Sequence, residues 1–241
     1  MKAVMKHIVQ SGFEKFGLHI SRNRSGWDFL FEALRTGGFK PKHIVDVGVN
    51  HGLWTRTAIR YFPDAFYTLI EPQEWLRPSS EDILSRGNAR WISAGVSDKS
   101  GTLPFRISYR DDASTFSYSD DDAEAMGLQK TINVPVVTLN EAVKNSSLPD
   151  MVKIDAEGYD LKAIAGASDL IGKTDIFILE ATICAPKLEN TLENVVSTMS
   201  GLGYRAVDIP AVNRSPKSGV AWLCDVAFLR NESRFLDTTY E

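Results

Sequence analysis

The stretch HIVDVGVNHG, residues 43–52, is a strand-like apolar run that ends in a turn containing two glycines, Gly48 and Gly52. A helix-like run, LWTRTAIRYF, follows it directly. Glycine lets the chain turn tightly and lets a ligand approach the backbone closely. On spacing alone, an ordinary strand-to-helix connection fits this turn nearly as well as a ligand-binding turn does.

Strand-like and helix-like runs alternate along the rest of the chain. The clearest strand-like runs are AFYTLIE (65–71), ARWISAGV (89–96), MVKID (151–155), DIFILE (175–180), YRAVDI (204–209) and VAWLCDVAFL (220–229). This order predicts an α/β fold, a doubly wound and mostly parallel sheet with helices on both faces. Ligands of such sheets bind outside the carboxyl ends of the strands, so we expect the functional residues there.

We expect one main domain, residues 41–241, with N-terminal helices in residues 1–40 packed on it. Residues 102–137 interrupt the alternation with two short strand-like runs, TLPFRIS and INVPVVTL, around a polar and acidic stretch. Long connections within a compact domain are usually functional or disordered. A lid over the substrate and a plain solvated loop both remain open for this segment.

Charge and apolar patterning exclude several classes of protein. The net charge is −4, so the chain lacks the cationic surface that binds nucleic acid. No apolar run approaches the roughly 20 residues of a membrane span, and charged residues interrupt the N-terminal stretch where a signal peptide is apolar. The two cysteines, Cys184 and Cys224, form no zinc or disulfide pattern. A cytoplasmic protein without a membrane span or a nucleic-acid partner is expected.

The first two strand ends indicate a nucleoside cofactor. A dinucleotide fingerprint needs a middle glycine that makes room for a pyrophosphate, and Asn50 occupies that position. Glu71 ends the second strand about 20 residues further on, where doubly wound folds bind ribose hydroxyls. S-adenosylmethionine has the ribose without the pyrophosphate. A nucleotide-dependent oxidoreductase is the alternative, although Asn50 disfavours it.

The third strand end, SAGVSDKSG, contains Ser97 and Asp98. These polar groups stand where the edge of an adenine ring could be bound. Ser, Asp and Gly are equally typical of an ordinary turn, so both interpretations stay open here.

The segment MVKIDAEGYD, residues 151–160, carries the most unusual charges. Lys153 and Asp155 share one face of a strand because side chains alternate, and a central parallel strand is normally apolar on both faces. Charged groups there must be paired or functional. An ion pair of Lys153 with Asp155 or Asp46 is one possibility. A functional site is the other, since Glu157 and the neighbouring strand-end acid Glu180 would face the same crevice.

Six segments in order, over residues 42–230, resemble the FkbM-type S-adenosylmethionine-dependent methyltransferases. They are DVGVNHGLWT, LIEP, AGVSDKSGTLPF, VPVVTLNEA, VKIDAEGYDLKAIAGA and FILE. The resemblance implies a class I methyltransferase fold with a seven-stranded sheet and an antiparallel last strand. It also implies methylation of a hydroxyl oxygen on a sugar, glycan or natural product.

The resemblance assigns roles by position. The expected cofactor residues are Asp46, Gly48, Asn50 and Gly52 beside the methionine and ribose, Glu71 on the ribose hydroxyls, and Ser97 with Asp98 on the adenine side. The residues expected to face the reacting hydroxyl are Asp155, Glu157, Lys153 and Glu180. Asn140, where the family usually has Asp, and Val49, where it usually has Ala, leave the choice of acceptor open.

Glu157 and Asp155 are the candidates for removing the hydroxyl proton. A divalent cation between Asp155 and a second acid, Glu157 or Glu180, could instead lower the pKa of the acceptor, and the sequence does not separate these versions. His51 is held in reserve as a base. A non-catalytic interaction module is a further alternative, although clustered acids without a task would be costly. The acceptor and the oligomeric state are not predicted.

Overall fold

The computed structural model describes residues 24–108, 114–116, 130–183, 188–233 and 235. Most of the predicted N-terminal helical region, much of the inserted polar segment and Cys184 lie outside these residues. Within them, no helix combines the length and apolar character that a membrane span requires.

The described residues contain ten strands. They are β1 (His43–Val47), β2 (Phe66–Ile70), β3 (Ala89–Ile92), β4 (Gly95–Val96), β5 (Gly101–Ile107), β6 (Lys130–Val137), β7 (Met151–Ile154), β8 (Ile176–Thr182), β9 (Tyr204–Arg214) and β10 (Ala221–Arg230).

Seven of these strands form one sheet in the order β3-β2-β1-β7-β8-β10-β9. The pairs from β3 to β8 are parallel, and β10 runs antiparallel to both of its neighbours. The predicted α/β fold with an antiparallel last strand is therefore confirmed. The strand order reverses between β1 and β7, and in such folds the crevice at this point is the usual ligand site.

The helices are α1 (Gly26–Thr36), α2 (Leu53–Tyr61), α3 (Glu81–Leu84), α4 (Leu139–Val143), α5 (Asp160–Ala165) and α6 (Leu192–Gly201), with a 3-10 helix at Glu74–Ser80. Local sequence sets several of their starts. Ser25 and Asp28 form a reciprocal capping box at α1. Thr138 and Thr191 accept backbone N–H groups at the starts of α4 and α6.

Alternation along the strands divides the core into two layers, one on each face of the sheet. Val45, Val152 and Phe177 belong to the layer that includes α5 and α6. Ile44 and Ile178 belong to the layer that includes α1 and α2. Side chains two positions apart share a face, so Asp46 and Lys153 project from the second face as polar exceptions in an apolar layer.

A second, three-stranded sheet has the order β4-β6-β5. It includes both short runs that the sequence indicated in the interrupting segment, as β5 and β6. Phe105, Phe116, Val134 and Val136 form its small apolar core. Because Phe105 and Phe116 also line the main cavity, this sheet forms one wall of the candidate site.

Candidate active site

A cavity of about 730 Å³ lies at the carboxyl ends of the central strands. Val47, Glu71 and Asp155 line it at or just beyond the ends of β1, β2 and β7, and Glu180 lines it from within β8, which continues to Thr182 although the sequence predicted a strand end at Glu180. The volume falls within the roughly 300–1,000 Å³ typical of small-molecule sites. Residues from four of the strand regions singled out in the sequence therefore meet at one cavity.

The glycine turn after β1 forms the cavity floor. Gly48 has φ 75°, and a Cβ placed there would lie 1.9 Å from the carbonyl oxygen of Asp155. Only glycine tolerates both that backbone conformation and that contact. Gly52 caps α2 with φ 74°, and it lies against Ile83 and Ser80 rather than among the cavity-lining residues.

Glu71 is held by main-chain donors at the floor of the cavity. Its Oε2 accepts the N–H of Asn50 at 2.9 Å, and its Oε1 accepts the N–H of Gln73 at 3.0 Å. Asn50 adopts φ 49° to present this donor. Burial raises the pKa of Glu71, while these hydrogen bonds oppose the rise. The carboxylate is thus fixed in place where it lines the cavity.

Asp46 lies beneath the cavity and does not line it. Its side chain is completely buried and accepts a hydrogen bond from the Thr55 hydroxyl. Burial raises the pKa of Asp46 to about 6, although Lys153 and Thr55 oppose the rise. Asp46 is therefore tied to α2 through Thr55 and to β7 through Lys153, and its predicted role beside the cofactor stays a prediction.

Lys153 forms both ion pairs that the sequence allowed. Its Nζ lies 2.8 Å from Asp155 Oδ2 and 3.9 Å from Asp46 Oδ1. Burial by itself would lower the pKa of Lys153, but the surrounding carboxylates, Asp155 first, raise it. The ammonium is consequently charged and is engaged by these two carboxylates.

Three carboxylates converge beyond Lys153. Asp155, Glu157 and Glu180 each offer one oxygen, and these three oxygens lie within 4.8 Å of one another. We call these three residues the acid cluster. Burial, followed by the charges of Asp155 and Glu157, raises the pKa of Glu180 well above its ordinary value. Carboxylates this close raise one another's pKa, and their oxygens are of the type that coordinates a hard cation.

Asp160 positions the Glu180 end of the acid cluster. It is the first residue of α5 and is fully buried. Its Oδ1 accepts the N–H of Glu180 at 3.1 Å. Burial raises its pKa well above the ordinary range. Asp160 thus ties the start of α5 to β8 in addition to its favourable place at a helix N-terminus.

Asp225 is an acid of this site that the sequence analysis missed. It pairs across the sheet with Glu180, and its negative charge helps to raise the pKa of Lys153. Burial raises the pKa of Asp225 to about 6. The available signal was an aspartate inside the apolar run VAWLCDVAFL, but its neighbours in space come from strands far away along the chain.

The cavity mouth also contains residues that the sequence did not single out as a group. Asn213 and Trp222 line it from the β9–β10 hairpin, and Trp222 is 46% exposed. Ser114 and Phe116 also line the cavity. His51, the reserve base, is exposed at the rim.

Ser97 and Asp98 lie apart from the residues that line the cavity. The Ser97 hydroxyl donates to Asp98 Oδ1 at 3.0 Å, as in an ordinary polar turn. The cavity wall nearest to them along the chain consists of Ala94, Gly95 and Val96. A role of Ser97 and Asp98 on the adenine side stays a prediction.

The strand order, the glycine turn and the acid after β2 together define a class I methyltransferase fold. Residues 46–206 match the family model described as the methyltransferase FkbM domain. This match covers more than half of the chain, and the chain belongs to that family.

Solved structures share the fold. Methyltransferase FkbM from Methylobacillus flagellatus KT is 13% identical with a TM-score of 0.51, and the match covers 77% of this chain but only 43% of that one. Cofactor-bound Rv0187 from MTB is 13% identical with a TM-score of 0.50, over 89% of this chain and 83% of that one. A search of curated proteins found no match.

Proposed function

We propose that the protein transfers a methyl group from S-adenosylmethionine to a hydroxyl oxygen of an uncharged sugar, glycan or natural product. The observation that carries this proposal is the composition of one cavity. Glu71 and the glycine turn line one part of it, and the acid cluster lines another.

The cofactor part of the cavity has the features that an adenosyl group requires. Glu71 is fixed by two main-chain N–H groups, so it can accept ribose hydroxyls without rearrangement. Asn50 replaces the middle glycine that the dinucleotide fingerprint needs to make room for a pyrophosphate, and this replacement disfavours the oxidoreductase alternative. When bound, S-adenosylmethionine would supply an electrophilic methyl group on a positively charged sulfonium. The nearby carboxylates would favour that charge.

The acid cluster would orient the acceptor and take its proton. Glu157 and Asp155 both line the cavity, and either is within reach of a hydroxyl bound there. Lys153 donates a hydrogen bond to Asp155 Oδ2 and thereby holds that carboxylate in one orientation. A positioned carboxylate base typically contributes about 10²-fold to 10⁴-fold in rate.

A divalent cation is the alternative device for activating the hydroxyl. Asp155, Glu157 and Glu180 would be its ligands, and oxygen ligands suit hard cations such as Mg²⁺. Chelation separates the two versions. Transfer that survives EDTA supports the carboxylate base, and transfer that is lost with EDTA and restored by Mg²⁺ supports the cation.

The charge of the cavity supports an uncharged acceptor. Among the described residues that line it, Glu71 and the acid cluster contribute four acidic side chains, whereas the ammonium of Lys153 is engaged by two aspartates. A phosphate or a nucleic-acid backbone would be repelled at this surface. A neutral ring could also pack on Trp222 at the mouth.

Two measurements test the proposal. Isothermal titration with S-adenosylhomocysteine and with NAD should give binding of the former alone, and a non-catalytic module would bind neither. Incubation with methyl-labelled S-adenosylmethionine and separated glycan, lipid, secondary-metabolite and nucleic-acid extracts should label one of the uncharged fractions. Label that appears only in nucleic acid would overturn the assignment of the acceptor.

A further inference from the structure

Glu157 has a backbone conformation that needs an external support. Its φ is 49°, in the left-handed region, although it is not a glycine. Residues with a Cβ adopt that region at a cost. The turn continues through Gly158, with φ 92°, and closes by a bond from Tyr159 N–H to the Ala156 carbonyl at 3.2 Å.

The support comes from a distant part of the chain. The Thr115 hydroxyl donates to the Glu157 carbonyl oxygen at 2.6 Å, and Thr115 is buried. Its backbone exchanges two hydrogen bonds with Arg106 of β5, at 2.9 and 3.0 Å. Pairing of the Thr115 backbone with β5 therefore fixes the position of the hydroxyl that donates to Glu157.

We call residues 114–116 the roof segment. Next to this hydrogen bond, the segment is held by aromatic packing of Phe116. The Phe116 ring lies 4.7 Å from that of Phe105 and 5.2 Å from that of Tyr159, centre to centre. A Cβ at Gly95 would come within 2.4 Å of Phe116 Cζ, so only the absence of a side chain there admits the ring. Ser114 and Phe116 both line the cavity.

We propose that Thr115 is a positioning residue: its hydroxyl holds the Glu157 turn in the left-handed conformation and so keeps the Glu157 carboxylate within the acid cluster. The catalytic meaning of this placement rests on the proposed function, in which Glu157 prepares the acceptor hydroxyl. Without the hydroxyl, the turn relaxes and the carboxylate leaves its position beside Asp155 and Glu180.

The test compares Thr115→Val, which keeps the shape but removes the donor, with Thr115→Ser, which keeps the donor. Thr131→Val is the matched control, because Thr131 pairs with the other side of Arg106 and is exposed. The signal to follow is the ¹³C resonance of the Glu157 carboxyl carbon, assigned with Glu157→Gln. We expect Thr115→Val to move it, and Thr115→Ser and Thr131→Val to leave it in place.

A Glu157 carboxyl signal in Thr115→Val that coincides with the wild-type signal would overturn the proposal, because a merely structural Thr115 would shift only its own strand neighbours. If Thr115→Val does not fold, Thr115→Ala provides the same comparison. These spectra need no acceptor and no cofactor. Failure of the protein to bind S-adenosylhomocysteine would therefore overturn the proposed function and leave the result on Thr115 intact.

Turnover supplies the catalytic part of the test. With the fraction that wild type labels, we expect Thr115→Val to lower kcat about 10-fold to 100-fold, the scale of a small misplacement of a reacting group. The KM for S-adenosylmethionine should stay unchanged, and Thr115→Ser should restore kcat. Equal kcat values for Thr115→Val and wild type would contradict a positioning role.

Discussion

Lys153 Nζ lies 2.8 Å from Asp155 Oδ2 and 3.9 Å from Asp46 Oδ1, so a single buried ammonium connects an acid that lines the cavity to an acid beneath it. The register of β1 and β7 sets this arrangement, because Asp46 and Lys153 are directly paired across the two strands. The Lys153 side chain therefore links the lining of the cavity to the core of the sheet.

Removing that ammonium should destabilise the protein. Lys153→Met leaves Asp46 and Asp155 without their cation, and breaking a buried pair from one side costs about 3–5 kcal/mol. Urea denaturation followed by circular dichroism measures the change. Lys173→Met, at an exposed lysine, is the control and should be neutral. A Lys153→Met variant as stable as this control would show that the ion pairs contribute little.

Stability should fall as pH rises between about 4 and 6. Burial raises the pKa of Asp225 to about 6 from an ordinary 3.8, so the folded state retains a proton that the unfolded state has lost in this window. The stabilising contribution is complete below the unfolded pKa and is lost as pH rises through the folded one. Asp225→Asn should flatten this part of the pH profile of the unfolding free energy.

Asp64→Asn is the control for that titration, because Asp64 is exposed and should leave the profile unchanged. If the unfolding free energy of Asp225→Asn falls with pH as steeply as that of wild type, Asp225 is not the source of the decline. The decline would then belong to other buried acids such as Asp46.

Cofactor affinity should depend on Glu71. Glu71→Gln removes the charge that would bind the ribose hydroxyls, and a hydrogen bond to a charged group is worth about 1.5–3 kcal/mol. We expect S-adenosylhomocysteine to bind about 10-fold to 100-fold more weakly by isothermal titration. Glu81→Gln, at an exposed glutamate nearby, should bind like wild type. Equal affinities in the two variants would remove Glu71 from the cofactor site.

Turnover should depend on the acid cluster while cofactor binding does not. Glu157→Gln and Asp155→Asn remove the candidate proton acceptors, and we expect about 10²-fold to 10⁴-fold loss of methyl transfer. S-adenosylhomocysteine should bind both variants within a few-fold of wild type. Undiminished transfer in both variants would exclude these carboxylates from the mechanism.

A side chain at position 95 should displace the roof segment. In Gly95→Ala the new methyl group would lie 2.4 Å from Phe116 Cζ, so the ring must move, at a cost of about 1–3 kcal/mol. Amide hydrogen exchange at residues 105–107 and 115–116 should accelerate. Gly101→Ala is the matched control, because no atom lies within 4 Å of a Cβ there. Identical exchange in the two variants would mean that the ring does not need the space at Gly95.

Much of the fold followed from local sequence. Strand alternation, the glycine turn and the strand-end acids Glu71, Asp155 and Glu180 are local signals, and parallel strands bring their carboxyl ends to one edge whatever their order along the chain. That is why the sequence could predict that Asp155, Glu157 and Glu180 face one crevice, and all three line the cavity.

The remaining features depend on contacts between distant segments. Asp225 and Trp222 enter the site because β10 inserts antiparallel between β8 and β9, and no periodicity encodes that insertion. The contact of Thr115 with Glu157 spans 42 positions. The complete burial of Asp46 between Thr55 and Lys153 likewise depends on the register of the sheet, which the sequence alone does not give.

The close approach of Gly48 to the Asp155 carbonyl has a mechanical consequence. The glycine turn after β1 and the main chain after β7 come together there, and Gly48 has no side chain that could rotate or yield between them. The spacing of these two segments is therefore set by the polypeptide backbone. Substitutions of exposed side chains elsewhere on the cavity lining should leave that spacing unchanged.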